Sequence, residues 1–101
     1  MNDESQLPDG HKAVRARIHG RVQGVWYRAW TVETASRLGL DGWVRNRLDN
    51  TVEALFVGPA DVVDVMVGQC WSGPERAEVT VIQLEPAIGI TATGFVQKPT
   101  V

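Results

Sequence analysis

The sequence predicts an α+β domain, an antiparallel sheet with two helices on one face, in the order β-α-β-β-α-β. Three observations carry this expectation. Arg28 to Leu38 and Val63 to Cys70 place apolar residues at helical spacing. The stretches around them either alternate with the two-residue period of a strand or are β-prone in composition. Gly39, Asp49-Asn50, Gly58-Pro59 and Ser72-Gly73-Pro74 punctuate the chain between these segments.

The elements follow in order. In Ala13 to Gly20, Val14, Ala16 and Ile18 point one way and Arg15, Arg17 and His19 the other, which makes a strand with one buried face. A glycine-bracketed stretch, Gly20 to Gly24, leads into the first helix. There Thr31, Ala35 and Leu38 recur at i, i+4 and i+7 with Val32 alongside, and Gly39 supplies the stop. Gly42 to Leu48 and Thr51 to Val57 are both β-prone, and the intervening Asp49-Asn50 suits a hairpin, with Asn50 able to turn left-handed. Val63, Met66, Val67 and Cys70 mark the second helix. Ala77 to Glu85 is a further strand, and Ile90 to Gln97 a weaker one, interrupted by Gly94. This is the split βαβ, or ferredoxin-like, arrangement, in which right-handed crossovers place both helices on one face.

With 101 residues the chain makes one domain. Residues 1–11 read as a polar flexible tail and 12–101 as the folded unit. The tail lacks the basic start and apolar centre of a secretory signal. A net charge of −2 argues against a broad nucleic-acid footprint. No stretch reaches the roughly 20 apolar residues of a membrane span. The single cysteine, Cys70, excludes an internal disulfide and fits the cytoplasm, and its place on an apolar helix stripe makes it a core residue. Nothing indicates a second hydrophobic face, so a monomer is expected. The spacing of the carboxylates gives no metal site, and no cofactor is implied.

The functional signal is His19 to Trp30, HGRVQGVWYRAW. It joins a strand to a helix N-terminus, where unpaired N–H groups and a partial positive charge suit an anion. Glycine lets successive N–H groups converge, and Arg28 adds a planar fork for two phosphate oxygens. The pattern is neither a Walker loop nor a dinucleotide fingerprint.

Ile18 to Arg28, IHGRVQGVWYR, resembles the first signature of the acylphosphatases, and Gly42 to Gly58, GWVRNRLDNTVEALFVG, resembles their second. The resemblance extends over nearly all of the chain after the tail. It implies the ferredoxin-like fold and metal-independent hydrolysis of small acyl phosphates. By the same resemblance Arg28 is the phosphate-binding arginine and Asn46 the residue that positions water. The phosphate cradle corresponds to Arg21, Val22, Gln23, Gly24, Val25, Trp26 and Tyr27. Tyr27 departs from the usual phenylalanine, and its hydroxyl needs a partner if buried. Asn50 replaces the usual hairpin glycine.

The chain is poor in conventional catalytic groups, and this chemistry tolerates that. An acyl phosphate can expel a carboxylate without a strong general acid, so positioning and charge stabilisation supply most of the catalysis. Asn46 can donate and accept hydrogen bonds while staying neutral. With no suitable His or Glu base, the substrate's own phosphate oxygen is left to take the water proton. His19 is expected on a sheet surface, His11 in solvent and Trp43 in sheet packing. Trp26, Trp30 and Trp71 are expected partly exposed. Arg45 and Arg47 should face away from Asn46 and serve solubility. An RNA-binding sheet would need paired aromatics that the strands lack. A unit of a larger carbamoyl-transfer system would bring a cysteine-rich region that is absent.

Overall fold

The computed structural model describes residues 7–89 and 91–101. The elements are β1 (His11–Arg21), α1 (Tyr27–Arg37), β2 (Asp41–Asn46), β3 (Val52–Pro59), α2 (Ala60–Cys70), β4 (Glu78–Pro86) and β5 (Phe95–Gln97). Two helices pack on a five-stranded sheet of order β4-β1-β3-β2-β5. The expected element order is present, with the weaker final strand added at the sheet edge.

Burial explains why these segments fold as they do. Ala16 and Ile18 of β1 are fully buried beneath the helices, and Arg15, Arg17 and His19 lie on the open face. β3 is the central strand and is buried on both faces from Val52 to Gly58, which is why its sequence reads as an apolar run. Val63, Met66 and Cys70 of α2 are fully buried. The first helix ends in a Schellman motif: Gly39 is left-handed at φ 76°, its amide bonds Ser36, and the Leu40 amide bonds Ala35.

The sheet departs from the expected antiparallel arrangement in one pairing. β5 runs parallel to β2, Gly42 opposite Phe95 and Val44 opposite Gln97, so the sheet is mixed. β4 lies at the opposite edge, and β5 starts at the end of the sheet where β2 starts. Only Phe95 to Gln97 of the expected final strand is β structure; Gly94, at φ 94°, precedes it, and Ile90 lies outside the described residues.

The boundary of the tail also shifts. β1 opens at His11, which pairs with Pro59, and Leu7 packs beside Ala13, Leu55 and Val57 on the open face. Residues 1–6 of the expected tail lie outside the described residues. The hairpin between β2 and β3 turns at Asn50, left-handed at φ 74°, and Asp49 accepts the Thr51 amide at 3.1 Å.

Candidate active site

The end of β1 sets up the loop. A bulge between His19 and Gly20 shifts the pairing with β4. Gly20 sits at φ 119°, where a Cβ would lie 2.1 Å from the Glu78 carbonyl oxygen, so no side chain fits. The bulge bends the strand and turns the following residues out of the ladder.

Val22, Val25 and Tyr27 then turn their side chains inward, each 7% exposed or less. These buried anchors leave the main chain between them on the outside. Gly24 is left-handed at φ 74°, with open space where a Cβ would stand. Trp26 is left-handed too, at φ 68°, and its side chain is 80% exposed. Among the described residues, no backbone carbonyl accepts a hydrogen bond from the amides of Gln23, Gly24, Val25, Trp26 or Tyr27.

The start of α1 leaves its own amides equally uncommitted. Its N-cap, Trp26, makes no side-chain capping bond, and the first turn carries no acidic residue. α2 differs, with Asp61 in its first turn accepting the Val62 amide. An uncapped N-terminus keeps its positive end available for an external anion.

Arg28 follows in the first turn of α1, half-buried. Among the described residues, no carboxylate lies within ion-pair reach of it. Arg15, Arg17, Arg21, Arg37, Arg45 and Arg47 each hold one.

Asn46, the last residue of β2, is 9% exposed. Its main chain is fixed: it pairs with Val52, and its carbonyl accepts the Val101 amide at 3.3 Å. Its side-chain Oδ1 is buried with no hydrogen-bond partner among the described residues. Buried polar atoms are normally satisfied, so this oxygen marks a place where a solvent or ligand donor fits. Gln23, Gly24, Trp26, Arg28, Asn46 and Gln97 border one cleft of about 400 Å³.

The structure gathers Arg28, Asn46 and most of the loop, and it takes two expected contacts elsewhere. Arg21 is the last residue of β1, its guanidinium 3.0 Å from Glu78 and away from the cleft lining. The Gln23 side-chain amide donates to the Arg47 carbonyl at 2.9 Å and the Thr51 carbonyl at 2.8 Å. It is turned toward the hairpin, and among the described residues the Gln23 backbone N–H has no backbone acceptor. Gln97 was not foreseen, because its place in the cleft follows from the parallel pairing of β5 with β2.

Arg45 and Arg47 do face away from Asn46, but they do more than keep the surface soluble. Both bond the Glu53 carboxylate, at 2.8 and 3.2 Å, and Arg17 stands 3.8 Å away. Burial pushes the Glu53 carboxyl up, yet the three guanidiniums outweigh it and hold the group below its ordinary value. A hollow on this open face, between Arg15, Arg17 and Glu85, therefore has its cations already paired.

The Tyr27 hydroxyl finds its partner in the Cys70 carbonyl, at 2.5 Å. Burial, and then the proximity of Cys70, raises the phenol well above its usual range. Burial also pushes the Cys70 thiol up to about 12, which makes it inert packing. His19 Nε2 lies 2.9 Å from Gln83 Oε1 on the open face. Trp43 is half-buried there beneath the Arg45 guanidinium, 4.7 Å from the ring centroid. Among the described residues, no three His, Cys, Asp or Glu side chains converge as metal ligands would, and no helix is long and apolar enough to cross a membrane.

Comparison with known proteins bears on this geometry. The family model described as acylphosphatase matches residues 14–97. A curated acylphosphatase of Rhizorhabdus wittichii is 55% identical over 89 residues, covering 88% of this chain and 90% of the relative. One of Rhodospirillum rubrum is 54% identical over 88 residues, covering 87% and 97%. The solved structure of an acylphosphatase from Coxiella burnetii superposes with a TM-score of 0.84 at 27% identity, covering 88% of this chain and 94% of that one. A match spanning both signature segments, at these identities over nearly the whole length, shows that the chain belongs to the acylphosphatase family.

Proposed function

We propose that this protein hydrolyses small acyl phosphates to carboxylate and inorganic phosphate without a metal ion. The observation that carries this reading is the meeting, in one cleft, of loop amides, an arginine and a buried carboxamide oxygen that have, among the described residues, no backbone acceptor, no carboxylate and no donor respectively. The amides of residues 22–27 and the Arg28 fork hold the phosphoryl oxygens. Their charge is distributed over several donors as it shifts in the transition state. Asn46 Oδ1 accepts a hydrogen bond from the attacking water and aims it at phosphorus.

No side-chain base is required. The proton of the water passes to a phosphoryl oxygen of the substrate, and the carboxylate leaves as a weak base. A pH–rate profile governed by an essential enzyme base near neutrality would count against that step. The protein acts as a cytoplasmic monomer, and the substrate approaches from the face bordered by Trp26 and Gln97.

The test is turnover of benzoyl phosphate in excess chelator by the wild-type and Asn46→Ala proteins. Chelator-resistant activity that falls roughly 10²–10³-fold in the variant is expected. Near-wild-type turnover by a folded Asn46→Ala protein would refute the assignment.

A further inference from the structure

The two halves of the cleft come from different parts of the chain. The loop follows β1, and Asn46 ends β2. Aligned attack requires that the distance between them be held, since a misplacement of about 1 Å can cost roughly 10²-fold in rate. We propose that Gln23 is a positioning residue whose side-chain amide couples the anion-facing loop to the hairpin that presents Asn46.

The geometry is specific. The two N–H groups of one Nε2 serve two carbonyls, Arg47 at 2.9 Å and Thr51 at 2.8 Å. Arg47 directly follows Asn46, so the first bond lands one peptide from the residue that faces the attacking water. The Thr51 carbonyl also accepts the Arg47 amide at 2.9 Å. The second bond therefore adds to the rung that closes the hairpin.

These bonds also decide what the side chain does not do. With both donors directed at carbonyls, it has none left for a phosphoryl oxygen. Its remaining atom, Oε1, is an acceptor and would repel an oxyanion. The side chain therefore grips the hairpin, and its own main chain stays with the loop. Gly24, the most pliable residue of the loop, is held by this grip on one side and by buried Val25 on the other.

The inference rests on the reading of the cleft as a centre of water attack, and a double-mutant cycle on kcat tests it. Gln23→Met keeps the length and removes both donors. It is expected to lower kcat for benzoyl phosphate about 10–100-fold, while inhibition by inorganic phosphate stays within about three-fold. In an Asn46→Ala background the same change should alter kcat less than about two-fold, because its effect passes through Asn46. Additive losses, or a raised KM at unchanged kcat, would overturn the proposal.

A second measurement needs no variant. Titration of the 15N-labelled wild-type protein with inorganic phosphate should shift the Gln23 side-chain amide, the Arg47 amide that shares the Thr51 carbonyl, and the Leu48 and Val52 amides of the two accepting peptides, together with the loop. Shifts confined to residues 23–28 would overturn the coupling, even if Gln23→Met fails to fold. Absence of wild-type turnover would instead strike at the hydrolysis reading, and the titration would still decide the coupling.

Discussion

Tyr27→Phe removes one oxygen from the core and leaves a carbonyl without its donor. The hydroxyl donates to the Cys70 carbonyl at the end of α2. Among the described residues, no backbone amide outside the helix serves that carbonyl. Leaving it unpaired costs about 1–3 kcal/mol, and each kcal/mol lowers Tm by roughly 4–8 °C in a domain of this size. The pH dependence has a definite sign. Tyr27 and Cys70 are both neutral when protonated, and folding raises both, Cys70 from 9.0 to about 12 and Tyr27 well above 10.0. Above these unfolded values the unfolded chain has released protons that the folded state keeps. Stability from this pair is therefore complete below pH 9, falls from there toward 12 for Cys70, and falls above 10 for Tyr27. Each group contributes a slope approaching about 1.4 kcal/mol per pH unit. Urea unfolding at pH 7 and at pH 10.5–11 measures both effects. The variant should have a lower midpoint at pH 7 and a shallower alkaline decline. An unchanged midpoint, or an alkaline decline as steep as wild type, would refute the reasoning.

Further outcomes are expected at four other residues. Arg28→Ala should fold and lose roughly 10²–10³-fold in kcat/KM for an acyl phosphate, and Arg28→Lys should recover only part of it, because an ammonium carries charge without the fork; full recovery would show that charge alone suffices. Gly24→Ala should destabilise by about 1–2 kcal/mol in denaturant titrations, since its Cβ meets nothing and only the left-handed angle is penalised. Gly20→Ala should cost at least about 3 kcal/mol, because its Cβ collides with the Glu78 carbonyl; equal costs would contradict the geometry. Glu53→Gln should destabilise at pH 7 by about 1–3 kcal/mol, the arginines keeping some access to water. Because Glu53 is held below its ordinary 4.5, its contribution is present above that pH and is lost on acidification, so the variant should also show a flatter acid limb in urea midpoints measured from pH 6 to pH 3.

Much of the fold was readable from local pattern. Val14, Ala16 and Ile18 announced the buried face of β1. Val63, Met66 and Cys70 did the same for α2, and all three are fully buried. β5 was hard to read because three residues carry little period and its parallel register is set by a strand some fifty residues away. Gln97 was missed for the same reason. The need for a partner at the Tyr27 hydroxyl followed from chemistry alone, but its identity as the Cys70 carbonyl depended on how α2 packs. The meeting of Arg45 and Arg47 with Glu53 was likewise illegible: alternation gives the face of a side chain, and cross-strand register gives its neighbour. Gln23 and Arg21 are placed in the cradle by resemblance to the family's first signature, and a match in sequence cannot tell a side chain aimed at the cleft from one aimed at a hairpin or an adjacent strand.

In the loop between β1 and α1, Val22, Val25 and Tyr27 fill the interior, and among the described residues the amides of Gln23 to Tyr27 have no backbone acceptor. With the anion held by these amides as proposed, systematic alanine replacement of the loop would pass over that surface almost unseen, because every replacement retains its N–H. Proline is the natural residue that deletes one, and an ester in place of a single amide would do so without altering any side chain. The share of the proposed grip that falls to these amides is thus written in the shape of the polypeptide, where, Arg28 aside, a conventional mutational scan has little to erase.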